Sequence, residues 1–215
     1  MSKGPSLGLE ARALELRRGR RLLARSLSFT VEPGNYLELT GPNGSGKSTL
    51  LRILAGLGRL ETGDVFWNGT AFNPQKEECH HARTLYLGHT DGLKGLLSIR
   101  ENLRLFGTLR GIHDPVDEIE KGIGFYGLQH LKQVVCDRLS QGQRRRAALA
   151  RLHAFPASLW LLDEPTTALD REGVERFFSH FRLHLERGGM ALVATHQSLA
   201  RWITPAGEIA LGRSP

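Results

Sequence analysis

Residues 41–48 read Gly41-Pro42-Asn43-Gly44-Ser45-Gly46-Lys47-Ser48, followed by Thr49, and match the pattern G-x-x-x-x-G-K-[ST]. The chemistry served by that pattern is phosphate binding. Glycines let the backbone curl until several N–H groups point inward at one anion. A helix that starts at the end of the loop adds its positive dipole end. Lys47 then offers a mobile charge to the β- and γ-phosphates, and Ser48 offers a hydroxyl to Mg²⁺. A glycine-rich turn with an accidental lysine would carry the same letters. A strand before the loop and a helix after it separate the two readings, and both are expected here.

A second constellation lies at residues 159–164, Leu159-Trp160-Leu161-Leu162-Asp163-Glu164. A buried strand delivers its last residues to the carboxyl edge of a sheet, where ligands sit in α/β folds. Taken alone, such an acidic pair is a helix cap or a solvated turn. With a phosphate loop on the same chain, Asp163 reads as the acid facing Mg²⁺, and Glu164 as the group that polarises a water for attack on the γ-phosphate.

The elements that must position these residues follow from periodicity. Residues 9–16, 36–40, 65–67, 84–87, 159–162 and 190–195 read as strands. Leu50, Leu51, Ile53 and Leu54 recur at helical spacing, and residues 99–109, 116–126, 141–153 and 171–186 read as helices. Strands alternating with helices predict an α/β fold with a mostly parallel core sheet. Strand signals vanish from about residue 98 to 143, which predicts a helical subdomain, at about 95–145, inserted in one domain spanning 1–215.

Length and composition set bounds on this picture. The 215 residues, 40% hydrophobic and 24% charged, fit a globular chain. No apolar stretch approaches the roughly 20 residues of a membrane span, and the N-terminus shows no signal-peptide pattern, so a membrane role requires another subunit to supply the span. Cys79 and Cys136 form no C-x-x-C pair and suit a reducing compartment. The net charge of +7 fits nucleic acid, anionic lipid, or a dispersed surface around a site for an anionic nucleotide. No aromatic-interleaved basic tract favours nucleic acid, which is not expected as a partner. Cys79-His80-His81 invites a metal or heme ligand set, but consecutive side chains diverge and no fourth ligand is evident. Arg144-Arg145-Arg146 reads as a charged helix start that opposes the helix dipole, so an acidic group is expected nearby.

Further motifs carry a family resemblance. Leu139-Ser140-Gln141-Gly142-Gln143 resembles the ABC signature L-S-G-G-Q, with Gln141 in place of the first glycine. Thr167-Ala168-Leu169-Asp170 resembles the D-loop of ABC ATPases, and His196 their switch histidine. With Walker A at the phosphate loop and Walker B at Asp163, the order of motifs is that of a P-loop NTPase of ABC type. Such a fold carries an antiparallel β part beside the parallel core. The resemblance implies a head-to-tail homodimer in which Ser140, Gly142 and Gln143 of one copy close over ATP and Mg²⁺ on the other. His196 would contact the γ-phosphate, and Asp170 would couple the two sites.

A narrower resemblance rests on residues 86–94, Tyr86-Leu87-Gly88-His89-Thr90-Asp91-Gly92-Leu93-Lys94, followed by Glu101-Asn102-Leu103. This stretch is similar to the ATPase subunit of the heme exporter of cytochrome c maturation. That family implies integral membrane subunits of a heme exporter and a peripheral place on the cytoplasmic side of the bacterial inner membrane. No direct heme ligand is expected on this chain. Two departures stand out. Thr90 occupies the place of the Q-loop glutamine, so its hydroxyl is expected to reach the metal shell only through water, unless a neighbour such as His89 substitutes. The aromatic that stacks on adenine is missing; Arg17 or Arg18 stacks instead, or both are solvated. A soluble ABC ATPase of the iron–sulfur assembly type, or an ATP-binding switch with little turnover, are the competing functions.

Overall fold

Strands covered on both faces need no polar alternation, and three runs meet that description: β3 (Tyr36–Thr40), β7 (Leu159–Asp163) and β8 (Met190–Ala194). In the computed structural model, which describes residues 7–113 and 115–212, these form the centre of a five-stranded sheet. Its order is β6 (Thr84–Leu87), β7, β8, β3 and β9 (Gly207–Ala210). β3 runs parallel to β8 and β9, and β7 runs parallel to β8. Register fixes the functional edge: both Leu39 and Asp163 pair with Ala194, so all three strands end at one level.

A second, antiparallel sheet has the order β2 (Arg21–Val31), β1 (Leu9–Arg18), β4 (Asp64–Trp67), β5 (Thr70–Phe72). The α/β class with parallel and antiparallel parts is therefore the one found. Helix α1 (Lys47–Leu54) buries Leu50, Leu51, Ile53 and Leu54 in a core shared with Leu9, Leu39, Leu161 and Leu192. Each such leucine contributes roughly 2 kcal/mol through removal from water.

The chain divides into two compact units. Of the described residues, the first holds 7–86, Ser158–Glu164 and 183–212, and the second 87–113, 115–157 and Pro165–Arg182. The second unit is helical. It contains α3 (Ile99–Leu109), α4 (Val116–Phe125), α5 (Gln141–Ala154) and most of α6 (Arg171–Glu186). Ser98 and Glu101 form a capping box at the start of α3. Gly122 lets α4 approach α5 closely, since a Cβ there would meet the Ala150 carbonyl at 2.8 Å.

A short helix, α2 (Glu78–Arg83), contains the Cys79-His80-His81 run. His80 is wholly buried, and its Nε2–H donates to the Leu54 carbonyl at 2.6 Å, satisfying a backbone acceptor at the end of α1. Burial pulls its pKa down to about 4, so the ring is neutral near pH 7 and serves as a structural tie.

Candidate nucleotide site

The phosphate loop leaves β3 and enters α1 through glycines in the left-handed region. Gly41 has φ 129°, and a Cβ there would meet the Leu211 carbonyl at 2.1 Å. Gly46, at φ 112°, precedes α1, whose N-terminus has no side-chain cap. The first N–H groups of a helix lack intrahelical partners, so this end is available to an anion. Lys47 is buried over the loop, its Nζ donating to the carbonyls of Gly41 at 2.6 Å and Pro42 at 3.3 Å. Ser45 Oγ is buried without a hydrogen-bond partner. A curled loop, a folded-back lysine and an orphaned hydroxyl suit a phosphate chain. Ser48 and Thr49, on the first turn of α1, are exposed and half-buried.

Asp163 closes β7 and is 4% exposed, and the chain then turns sharply. Glu164 adopts φ 51°, a left-handed conformation that costs a non-glycine residue roughly 1–2 kcal/mol. Its N–H donates to the Ala194 carbonyl at 2.8 Å, which ties the turn to the end of β8. Its carboxylate Oε1 lies 3.6 Å from His196 Nε2. Burial pushes the Glu164 carboxyl above its usual range and Asp163 adds to the rise, while His196 and Lys47 oppose it.

His196 is held through the residues that follow it. Thr195 Oγ1 accepts from Gln197 N–H at 3.2 Å. Glu38, in the middle of β3 and 3% exposed, accepts from Leu199 N–H at 2.7 Å and Ser198 Oγ at 3.3 Å. Tyr36 Oη donates to the Ile203 carbonyl at 2.6 Å. Motif matching does not find Glu38; its signal is an acid inside an otherwise apolar strand.

A cleft of about 680 Å³ adjoins the exposed side of α1 and is lined by Arg17, Arg18, Ser48, Thr49, Arg52 and Arg59, among others. No aromatic side chain lines it among the described residues. Arg17 is engaged with Glu15 at 3.3 Å and Glu61 at 3.7 Å.

The first unit thus gathers the phosphate loop, Asp163, Glu164 and His196. The second unit gathers Thr90, Ser140, Gly142, Gln143 and Asp170. Ser140 is the N-cap of α5 and forms a capping box with Gln143. Gly142 has no room for a side chain, because a Cβ would meet the Ala168 carbonyl at 2.8 Å. Asp170 Oδ1 accepts from Gly173 N–H at 2.8 Å at the start of α6. Thr90 is exposed. The acid expected near Arg144 is Asp91, joined to it at 2.7 Å.

The ABC transporter family model matches residues 24–167. The chain belongs to the ABC transporter family. Among its ABC relatives is the cytochrome c biogenesis ATP-binding export protein CcmA of Tatumella citrea, 46% identical over 194 residues that span 89% of each chain. Another is the cytochrome c biogenesis ATP-binding export protein CcmA 2 of Cupriavidus metallidurans, 42% identical over 89% of this chain and 90% of the relative. This ABC chain also belongs with those export proteins. The fold is shared with an ABC transporter ATP-binding protein of Pyrococcus furiosus. That likeness has a TM-score of 0.79 and 24% identity, covering 94% of this chain and 96% of the other.

Proposed function

We propose that this chain is the ATP-hydrolysing subunit of an ABC transporter that energises heme export or heme-chaperone release in c-type cytochrome maturation. The observation that carries the hydrolytic part is the turn at Glu164, whose backbone is tied to Ala194 and whose carboxylate approaches His196. The cytochrome part rests on the relatives named for cytochrome c biogenesis.

In this reading residues 41–49 wrap the phosphates, with Lys47 released from the loop carbonyls toward the β- and γ-oxygens. Glu164 orients the attacking water and draws its proton, and His196 holds the γ-phosphate. Ser48 and Asp163 provide oxygen donors of the kind Mg²⁺ selects, with Thr90 as a donor through water. Mg²⁺ supplies neutralisation of phosphate charge. The cleft beside α1 takes the adenine, which stacks on the guanidinium of Arg17 or Arg18.

Ser140, Gly142 and Gln143 act on ATP held by a second copy. The capping box takes up the Gln143 N–H, and the Gln141 and Gly142 N–H groups with the hydroxyl hydrogen of Ser140 suit an anion. Each chain carries both half-sites, so the dimer is of identical copies. Among the described residues no helix is long and apolar enough to cross a membrane. Integral membrane subunits of a heme exporter supply the span, and the chain sits peripherally on the cytoplasmic side of the inner membrane. Thr90 favours one second reading, an ATP-binding switch with little turnover.

The test is genetic. A bacterium lacking its own cytochrome c biogenesis ATP-binding export protein receives this chain or its Lys47→Ala variant, with the matching membrane subunits. Recovery of heme-stained c-type cytochromes by the first alone supports the reading. Recovery by both, or by neither when both chains accumulate, contradicts it.

A further inference from the structure

Two of the three consecutive arginines of α5, Arg144 and Arg145, do not simply face solvent. Arg144 forms a forked pair with Asp91, Nε to Oδ2 at 2.7 Å and Nη2 to Oδ1 at 3.2 Å. Its Nη1 donates to the Cys136 carbonyl at 3.0 Å and lies 3.4 Å from Asp137. Arg145 is 5% exposed and donates to the Gly88 carbonyl at 3.0 Å and the Pro165 carbonyl at 3.1 Å. One turn and a half further on, Arg151, 8% exposed, donates to the Gly92 carbonyl at 3.1 Å. Asp91 Oδ1 also accepts from Leu93 N–H at 2.8 Å.

The pattern is specific to one segment. The carbonyls of Gly88 and Gly92 flank residues 89–91, and the side chain of Asp91 lies between them. All three are held by side chains of one helix, and that helix begins at the N-cap Ser140. Burial raises the Asp91 carboxyl, yet the hydrogen bonds from Arg144 and Leu93 outweigh it and leave the group below its ordinary value. A charged fork that is mostly removed from water resists bending more than a surface pair does.

We propose that Arg144 and Asp91 are positioning residues for hydrolysis, a latch that makes the Thr90 segment and the signature helix α5 move as one body. This rests on the reading that Ser140, Gly142 and Thr90 serve ATP. A short threonine at position 90 has little reach of its own, so its placement depends on the backbone around it. The latch fixes that backbone relative to Ser140. Every hydrogen bond shown for Arg144 and Asp91 stays within their own unit, so the latch as proposed governs turnover and not ATP affinity.

A double-mutant cycle on the full chain with its membrane subunits tests this. Turnover at saturating ATP, KM, melting temperature and ATP bound per chain are measured for Asp91→Asn, Arg144→Gln, the double variant and Arg144→Lys. The expected result is that each of the first two lowers kcat about tenfold, with KM within about twofold of the parent. The double variant loses no more than either single one, and Arg144→Lys, which keeps the charge without the fork, loses less. Losses that multiply in the double variant, or that track a fall in bound ATP or melting temperature, overturn the latch. A Glu164→Gln control separates the two levels. If it keeps full turnover, the underlying site reading fails and the latch with it. If it collapses while the pair variants stay active, the latch alone fails.

Discussion

The Glu38 carboxylate, buried in β3, accepts the Leu199 N–H at 2.7 Å, and so a strand of the central sheet holds the loop that carries His196. A buried N–H left without its acceptor costs about 1–3 kcal/mol. Glu38→Leu therefore releases the loop, and turnover is expected to fall roughly tenfold, the equivalent of about 1.4 kcal/mol, with ATP affinity little changed. Glu38→Gln keeps an acceptor oxygen and most of the activity. Steady-state kinetics beside nucleotide titration checks both, and equal losses in the two variants would contradict the role.

Gly142 is set against the Ala168 carbonyl, where a Cβ would come within 2.8 Å. Neither partner is a flexible side-chain end, so Gly142→Ala shifts backbone at a cost of about 1–3 kcal/mol. The expected outcome is a fall in turnover of tenfold or more with the phosphate loop still binding ATP. Full turnover in Gly142→Ala would show that the signature tolerates displacement.

The ring of His184 stacks on Trp160 at 3.8 Å and 7°, and its Nε2–H donates to the Met190 carbonyl. Burial lowers its pKa from 6.5 to about 4. His80 is depressed to about 4 by burial in the same way. In the unfolded chain both rings bind protons below about pH 6.5, while in the folded chain they do so only near pH 4. Their stabilisation is whole above pH 6.5 and declines as the pH falls toward 4, by roughly 3 kcal/mol for each ring. His184→Gln is expected to remove about one proton from the slope of stability against pH between 6.5 and 4. Chemical denaturation across that range measures it, and an unchanged slope would contradict burial of a neutral ring.

In the proposed function the base enters the cleft beside α1, which is lined by the guanidinium groups of Arg17 and Arg18. Stacking of this kind contributes about 0.5–2 kcal/mol. Replacing both Arg17 and Arg18 by Ala is expected to weaken ATP binding about three- to tenfold, with turnover at saturation unchanged. A guanidinium face accepts any purine, so the parent is expected to discriminate weakly between ATP and GTP. Competition binding with the two nucleotides decides both points; tight selection of ATP would show that other groups read the base.

What the sequence discloses follows from how strongly each element is marked. Residues 159–162 are an apolar run, 190–195 are apolar up to Thr195, and 36–40 carry only Glu38 and Thr40 among apolar residues, and the central strands fall there within a residue. The helix expected at 141–153 is α5, and its N-cap Ser140 is also the serine of the Leu139–Gln143 run that resembles the signature. β2 escapes because Arg21 and Arg25 break its alternation, and it lies at a sheet edge with only Val31 buried. β9 and α2 escape because each buries a single side chain, Ile209 and His80, too few to set a period. The role of Glu38 escapes for a different reason. Its partner lies 161 positions away, and only the register of β3 beside β8 brings the two together.

In the proposed function Glu164 drives ATP hydrolysis on this chain, and turnover of the full chain with its membrane subunits beside Glu164→Gln measures this most directly. Glutamine keeps the shape but cannot take the proton, so turnover is expected to fall about a hundredfold or more while ATP stays bound. Turnover in the variant equal to the parent's, or none in either with ATP bound, would contradict the account.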